Sequence, residues 1–277
     1  MEDLNAMGVV KRGKIARIGA TVLAAAAIAV AACAAGAASA ATVSAARQVR
    51  AAATTAQARV TAPAAYTAPS RTLSEGMTGP AVRALQRRLA ALKYYPGAID
   101  GQFGNNTLEA VWAFQEVNRI KATGVINAAT KRALVHPKTY KSNDPKQDAT
   151  RIEVNQAIEV LVFYKNGKIA LISHVSSGGG YFYNCNGSSC SQAVTPNGNY
   201  RTTVYMPGWV KVPLGEMYNP VFFISTVYAI HGDTFVPVYP ASHGCVRVPM
   251  DVADFFHKLV KTPGTEVFVY GKPQWEK

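Results

Sequence analysis

The sequence predicts two folded domains in series, a small all-α three-helix bundle followed by a mostly β domain with one or two helices. Three observations lead there. From Pro80 to about Val135 apolar residues recur at helical spacing, beginning with Val82, Leu85, Leu89 and Leu92 on one stripe. Beyond Arg151 the texture changes to short β-branched and aromatic runs, two of which flank Asn166-Gly167, the strongest short-range hairpin signal. Residues 136–150, polar and proline-containing, separate the two as a connector. A chain of 277 residues, 49% of them hydrophobic, can fill two cores.

Residues 1–40 read as an export segment. Lys11, Arg12, Lys14 and Arg17 precede an uncharged apolar run that starts at Ile18, the order of a signal peptide. Three fates of this segment stay open: cleavage after Ala38-Ser39-Ala40, lipidation at Cys33 within Val30-Ala31-Ala32-Cys33, or an uncleaved membrane anchor weakened by its many alanines. Residues 41–70, rich in Ala, Thr, Pro and Gln, form a linker that reaches roughly 100 Å when fully extended. The formal charge is +13, but Lys and Arg are scattered with no basic stripe and interleaved aromatics, which argues against nucleic acid. For an exported chain, the anionic cell wall is the natural partner of that charge.

The helical domain is expected over 71–135. Pro80 suits the first position of a helix. A second helix begins near Asn106 or Thr107 and carries Leu108, Val111, Trp112 and Gln115; a third follows Asn127, a good N-cap. In the β domain, expected over 151–272, Ile152 and Val154 alternate with polar neighbours, and Ile158–Tyr164 and Lys168–Val175 form the hairpin. Further strands are expected at Tyr200–Tyr205, Val221–Thr226, Tyr228–His231 and Glu266–Tyr270, with one helix presenting Val252, Phe255, Phe256, Leu259 and Val260. Trp209 and Tyr218 fall in Gly/Pro-rich stretches and read as loop residues that line a binding groove. His136, His174 and His257 carry no motif and receive no role.

Chemistry concentrates between Ile230 and Val248, where His231, His243 and Cys245 stand among apolar flanks. A thiol becomes a useful nucleophile when an imidazole takes its proton. His231 is the better base, because it can approach the sulfur from a neighbouring strand, whereas His243 shares a backbone with Cys245. Gly244 permits a sharp turn, after which the Gly244 and Cys245 amides can converge on an oxyanion. On residue types alone three readings remain: an acyl-transfer cysteine, a zinc site without the usual ligand spacing, or an inert core cysteine. No metal or organic cofactor is required by the first.

Of the other cysteines, Cys185 and Cys190 lie in a polar Gly/Ser/Asn stretch. In an oxidising compartment they are expected to form a small disulfide loop that stiffens its surroundings and leaves Cys245 unpaired.

The strings His231-Gly232 and Ser242-His243-Gly244-Cys245-Val246-Arg247 resemble the signature of the L,D-transpeptidases, the YkuD-type catalytic domain of bacterial cell-wall enzymes. Val175-Ser176-Ser177-Gly178 and Thr195-Pro196-Asn197-Gly198-Asn199-Tyr200 are similar to two further elements of that family. The resemblance covers about 150–271. It implies Cys245 as nucleophile, His231 as general base, His243 and Ser242 as residues that shape the site, and Arg247 as an orienting residue for a substrate carboxylate or the site loop. It also places the Cys185–Cys190 loop beside the substrate groove. Asp233 departs from the pattern, standing where Thr or Ser is common.

Upstream, Gly76, Gly79, Val82, Leu85-Gln86, Asp100-Gly101, Phe103-Gly104, Thr107, Phe114-Gln115 and Gly124 resemble the small peptidoglycan-binding domains. Together these resemblances imply an exported enzyme of the cell wall or outer membrane face. It would form 3-3 cross-links from tetrapeptide stems through a cysteine thioester, with stem peptides and glycan strands as partners. Rival readings are an L,D-carboxypeptidase and a wall-binding scaffold without catalysis.

Overall fold

The computed structural model describes residues 66–146, 148–186 and 189–276. The expected export segment, with Cys33, and most of the linker lie outside the described residues.

Three helices open the structure: α1 (Pro80–Ala91), α2 (Asn105–Val117) and α3 (Ala128–Val135). Pro80 sits in the first turn of α1, where its missing N–H costs no helical hydrogen bond. Asn127 caps α3 by accepting the Thr130 N–H at 3.0 Å. Two buried glutamines brace the intervening turns. Gln86 donates to Asp100 Oδ1 (2.9 Å) and accepts the Gly101 N–H (2.8 Å), and Gln115 donates to the Val125 carbonyl (3.0 Å) and accepts the Gly124 N–H (3.0 Å). These residues of the peptidoglycan-binding pattern therefore hold the bundle together.

The β domain contains β1 (Arg151–Asn155), β2 (Val160–Lys165), β3 (Lys168–His174), β4 (Phe182–Asn186), β5 (Ser189–Gln192), β6 (Gly198–Arg201), β7 (Trp209–Val212), β8 (Gly215–Ile224), β9 (Tyr228–Asp233), β10 (Val246–Pro249) and β11 (Glu266–Tyr270), with α4 (Met250–Leu259) after β10. One sheet has the order β3-β2-β1-β11-β6, a second β10-β9-β8-β7, and β4-β5 is a separate hairpin. Between the two larger sheets lies a core that includes Ile152, Leu161, Phe163, Val221, Phe223, Ile230, Val246, Val248 and Phe256.

β2 explains how the two parts of the chain join. Successive side chains of a strand point to opposite faces. Leu161 and Phe163 enter the inter-sheet core, while Val160, Val162 and Tyr164 pack with Leu85, Tyr94 and Phe114 of the helical part. The unbroken apolar run of β2 is thus buried on both faces. The connector is packed as well: Tyr140 belongs to the helical core, and Arg151 forms buried ion pairs with Asp144 (3.2 Å) and Glu153 (2.8 Å). Hydropathy cannot reveal such packing, because it scores paired charges as if they faced water.

Some elements differ from the sequence reading. Phe182–Asn186 and Ser189–Gln192 pair as two strands where a loop was expected, and Trp209 and Tyr218 lie in strands rather than in loops. The two aromatics are directly opposite each other across the β7–β8 pair, with ring centroids 5.2 Å apart. Cross-strand aromatic pairing is what stabilises this hairpin.

Candidate active site

β9 and β10 run parallel, with Val246 opposite Ile230 and Arg247 opposite His231. The strand period turns Ile230, Val246 and Val248 into the core and leaves Ala229, His231, Cys245 and Arg247 for the other face. His231 therefore flanks Arg247 directly, and Cys245, two residues before Arg247 on the same face, lies on the diagonal. The sequence reading looked for His231 on a strand next to the cysteine, and β9 is that strand.

A cleft of about 430 Å³ opens over this face. Its lining includes His231, Asp233, Ser242, His243, Gly244, Cys245 and Arg247, so the structure brings together every residue of the signature that the sequence singled out for chemistry. Trp209 and Tyr218 are not among the lining residues. Trp209 is largely exposed, and the Tyr218 hydroxyl donates to Asp254 Oδ1 on α4 at 2.8 Å. β7, β8 and the turn between them instead present Val212, Leu214, Glu216 and Met217 to the cleft. None of those four carried a sequence signal of its own.

His231 is almost fully buried, and its Nδ1 lies 2.9 Å from the Gly232 carbonyl oxygen. A carbonyl only accepts, so Nδ1 carries the proton and Nε2 is left with a lone pair, the tautomer a base needs. Burial pushes the His231 pKa below its ordinary value, and Arg247 adds to the effect; the Gly232 carbonyl and Asp233 oppose it. Burial raises the pKa of the Cys245 thiol, against the opposing pull of the Ala229 amide and Arg247. The resting pair is consequently a neutral thiol and a neutral imidazole. Cys245 is the free cysteine among the described residues, with its sulfur 3.7 Å from the Val227 carbonyl oxygen and 3.9 Å from Met217 Sδ.

The turn before Cys245 is stapled by Ser242. Its hydroxyl donates to the Cys245 carbonyl (2.5 Å) and accepts the Gly244 N–H (3.0 Å). Of the two amides expected to meet an oxyanion, that of Gly244 is thus already engaged. Gly244 has φ +139°, and a Cβ there would fall 2.7 Å from the Tyr228 ring and 2.8 Å from the Val194 carbonyl oxygen. Only glycine fits at this position. Thr195, which sequence reasoning left without a role, donates from Oγ1 to the Gly244 carbonyl at 2.7 Å and accepts the Gly178 N–H at 2.8 Å.

Two polar contacts frame the cleft. Asp233, the departure from the family pattern, forms an ion pair with Arg247 at 3.1 Å, and Arg247 Nη1 also reaches the Phe235 carbonyl at 3.4 Å. Arg247 thereby ties down the segment that follows β9. On the other side His243 meets Tyr183 and Tyr181 edge-to-face, at centroid distances of 4.8 and 5.4 Å. Tyr183 lies on β4 and Tyr181 just before it, the Cys185–Cys190 disulfide joins β4 to β5, and Tyr183, Asn184 and Ser191 line the cleft. The expected disulfide is present, and its loop borders the site.

Comparison with known proteins agrees with this geometry. Residues 149–269 match the family model of the L,D-transpeptidase catalytic domain (YkuD), and residues 78–134 match that of a peptidoglycan binding domain. The crystal structure of an L,D-transpeptidase from Xylanimonas cellulosilytica is similar with a TM-score of 0.68 and 32% identity, covering 73% of this chain and 98% of that one. Two curated relatives match over shorter stretches. The zinc D-Ala-D-Ala carboxypeptidase of Streptomyces albus G is 50% identical over 66 residues, 22% of this chain and 25% of that protein. The carboxy-terminal processing protease CtpB of Bacillus subtilis is 36% identical over 76 residues, 27% of this chain and 16% of that protein. The chain thus spans a quarter or less of either curated relative. With its catalytic-domain match and a solved relative covered almost end to end, this chain belongs to the L,D-transpeptidase family.

Proposed function

We propose that the protein is an exported cell-wall enzyme that joins peptidoglycan stems through a thioester on Cys245, giving 3-3 cross-links. The observation that carries this reading is the parallel register that sets a buried, Nδ1-protonated His231 beside an unpaired cysteine in a cleft of about 430 Å³.

The steps follow from the residues. His231 Nε2 takes the Cys245 proton as the sulfur attacks the carbonyl of the third stem residue in a tetrapeptide donor. The Cys245 amide supports the oxyanion, since Gly244 has its amide on Ser242. Collapse breaks the peptide bond to the terminal D-alanine, whose amine leaves with the proton from His231. An amine from a second stem then attacks the thioester and gives its proton to His231, which returns it to the sulfur. The products are a new amide, free D-alanine and the regenerated thiol. His243, Ser242 and Arg247 shape the site rather than exchange protons. Peptidoglycan as partner is supported by the two matched domains, and a location in the wall by the same matches and the basic charge. Among the described residues no helix is long and apolar enough to cross a membrane.

Incubating the protein and its Cys245→Ala variant with a disaccharide-tetrapeptide, then separating the products by mass, tests this reading. Cross-linked dimers and free D-alanine with the wild type alone are expected. D-Alanine without dimers would assign the protein to L,D-carboxypeptidases instead, and an unchanged substrate would leave a binding scaffold.

A further inference from the structure

His174 lies outside the cleft, received no role from its sequence context, and is among the most buried side chains of the molecule. Its two ring nitrogens face different parts of the chain. Nδ1 is 3.1 Å from Glu116 Oε2 on α2, and Nε2 is 2.9 Å from the Pro237 carbonyl oxygen, in the segment between β9 and the nucleophile. Trp112 of α2 packs edge-to-face on the ring at 5.5 Å. The Pro237 carbonyl can only accept, so Nε2 must donate.

That segment, residues 234–242, has no strand or helix of its own and is fixed by side chains and backbone from elsewhere. Arg247 holds the Phe235 carbonyl (3.4 Å) and Ser176 Oγ donates to the Tyr239 carbonyl (2.8 Å). The Ser177 carbonyl accepts the amides of Ala241 and Ser242, both at 2.9 Å. Ser177 is gripped in turn by Glu159, which accepts its N–H (2.7 Å) and its hydroxyl (2.8 Å). Among these supports the His174 bond alone leads to the helical bundle. Beyond Ser242 come the stapled turn and Cys245.

We propose that the helical bundle is built into the active site through Glu116, His174 and the Pro237 carbonyl, and that His174 is a positioning residue for Cys245. The bundle then does more than carry the enzyme to the wall: it sets one of the points from which the nucleophile's segment hangs. The protonation of the group agrees with this. Burial alone would strip His174 of its proton, but Glu116, the Pro237 carbonyl and Glu159 outweigh it and hold the pKa at about 9. At neutral pH both ring nitrogens therefore carry hydrogens, one for each partner.

The inference rests on Cys245 acting as the acyl-transfer nucleophile. Two amide substitutions separate the two contacts. His174→Asn places an amide at the Nδ1 position, facing Glu116, but is too short to reach Pro237. His174→Gln reaches the Pro237 carbonyl. Each variant, and Glu116→Gln, is read by iodoacetamide labelling of Cys245 and by turnover of the disaccharide-tetrapeptide, after a cooperative thermal transition has shown it folded. With His174→Asn, labelling rate and kcat are expected to fall about tenfold with KM within about twofold. His174→Gln and the isosteric Glu116→Gln are expected to stay within about threefold of wild type. Should His174→Asn not fold, His174→Ser, which also lacks the Pro237 contact, takes its place.

Equal losses in Asn and Gln, or no loss in either, would overturn the proposal. The two readouts keep its failure distinct from that of the functional reading. A wild type that releases no D-alanine while labelling still follows the Asn and Gln order leaves positioning standing and the substrate wrong. A wild type that turns over, with both His174 variants alike, removes the positioning role.

Discussion

At the scale of single residues, the site is defined by which protons are held and which are free. A neutral imidazole with Nδ1 bound to the Gly232 carbonyl can accept from Cys245, and protonation of Nε2 at low pH ends that role. Because burial lowers the His231 pKa, acylation is expected to persist below the ordinary histidine range before its acid limb appears. Asp233 raises the His231 pKa and is paired with Arg247, so Asp233→Asn should move that limb to still lower pH; acylation rate against pH measures it. A shift to higher pH would contradict the assignment. His231→Ala is expected to slow acylation by roughly 10²–10⁴-fold with the fold intact, checked by stopped-flow rates and circular dichroism. Cys245, His231, Ser242, His243, Gly244 and Arg247 were legible in the sequence because they sit close together in one motif. Glu159, His174 and Thr195 were not given roles, since each acts through a partner between 18 and 63 positions away.

At the scale of elements, the parallel pairing of β9 with β10 makes the candidate site, and the turn through Gly244 aims Cys245. Gly244→Ala is expected to cost about 1–3 kcal/mol from strain at its positive φ, with further loss from the overlap with Tyr228, and to abolish most acylation. Urea unfolding together with acylation rates checks both effects. The β4–β5 hairpin forms a wall of the cleft. Replacing both Cys185 and Cys190 by serine should raise the KM for stem peptide several-fold while kcat changes little. Because the bridged residues are only 5 apart, the stability cost should be about 2 kcal/mol. An unchanged KM would remove the hairpin from substrate binding. This hairpin was read as a loop because its residues show no apolar alternation, and a covalent link and edge-to-face tyrosines replace that signal. Trp209 and Tyr218 were misplaced for the converse reason: Gly and Pro nearby suggested irregular backbone, but the two rings support a strand pair.

For the whole molecule, the helical bundle and the β domain meet across a layer that contains the buried groups Glu109, Glu116, Glu159 and His174. Burial pushes Glu109 and Glu116 to about 7 and Glu159 to about 8, while the acidic partners hold His174 at about 9. All four pKa values are raised on folding, so between the unfolded and folded values the native chain holds protons that the unfolded chain has released. Stability must then be highest on the acidic side and fall as pH rises through roughly 5 to 9. The four groups act as one coupled set, so their contributions do not add. Urea midpoints at pH 6, 7.5 and 9 measure the fall, and a constant or rising midpoint would contradict the account. The division into a helical and a β part was legible from periodicity. Their joint core was not, because a strand buried on both faces reads only as an apolar run, and buried acids read as surface.

On the proposed reading, Cys245 becomes covalently acylated by a stem peptide. Intact mass of the protein mixed with a tetrapeptide donor, quenched in acid before an acceptor amine is added, tests it most directly. The account predicts an adduct equal to the donor minus D-alanine, mapped to Cys245 and absent from Cys245→Ala. An unmodified protein, or the same adduct in the alanine variant, would contradict it.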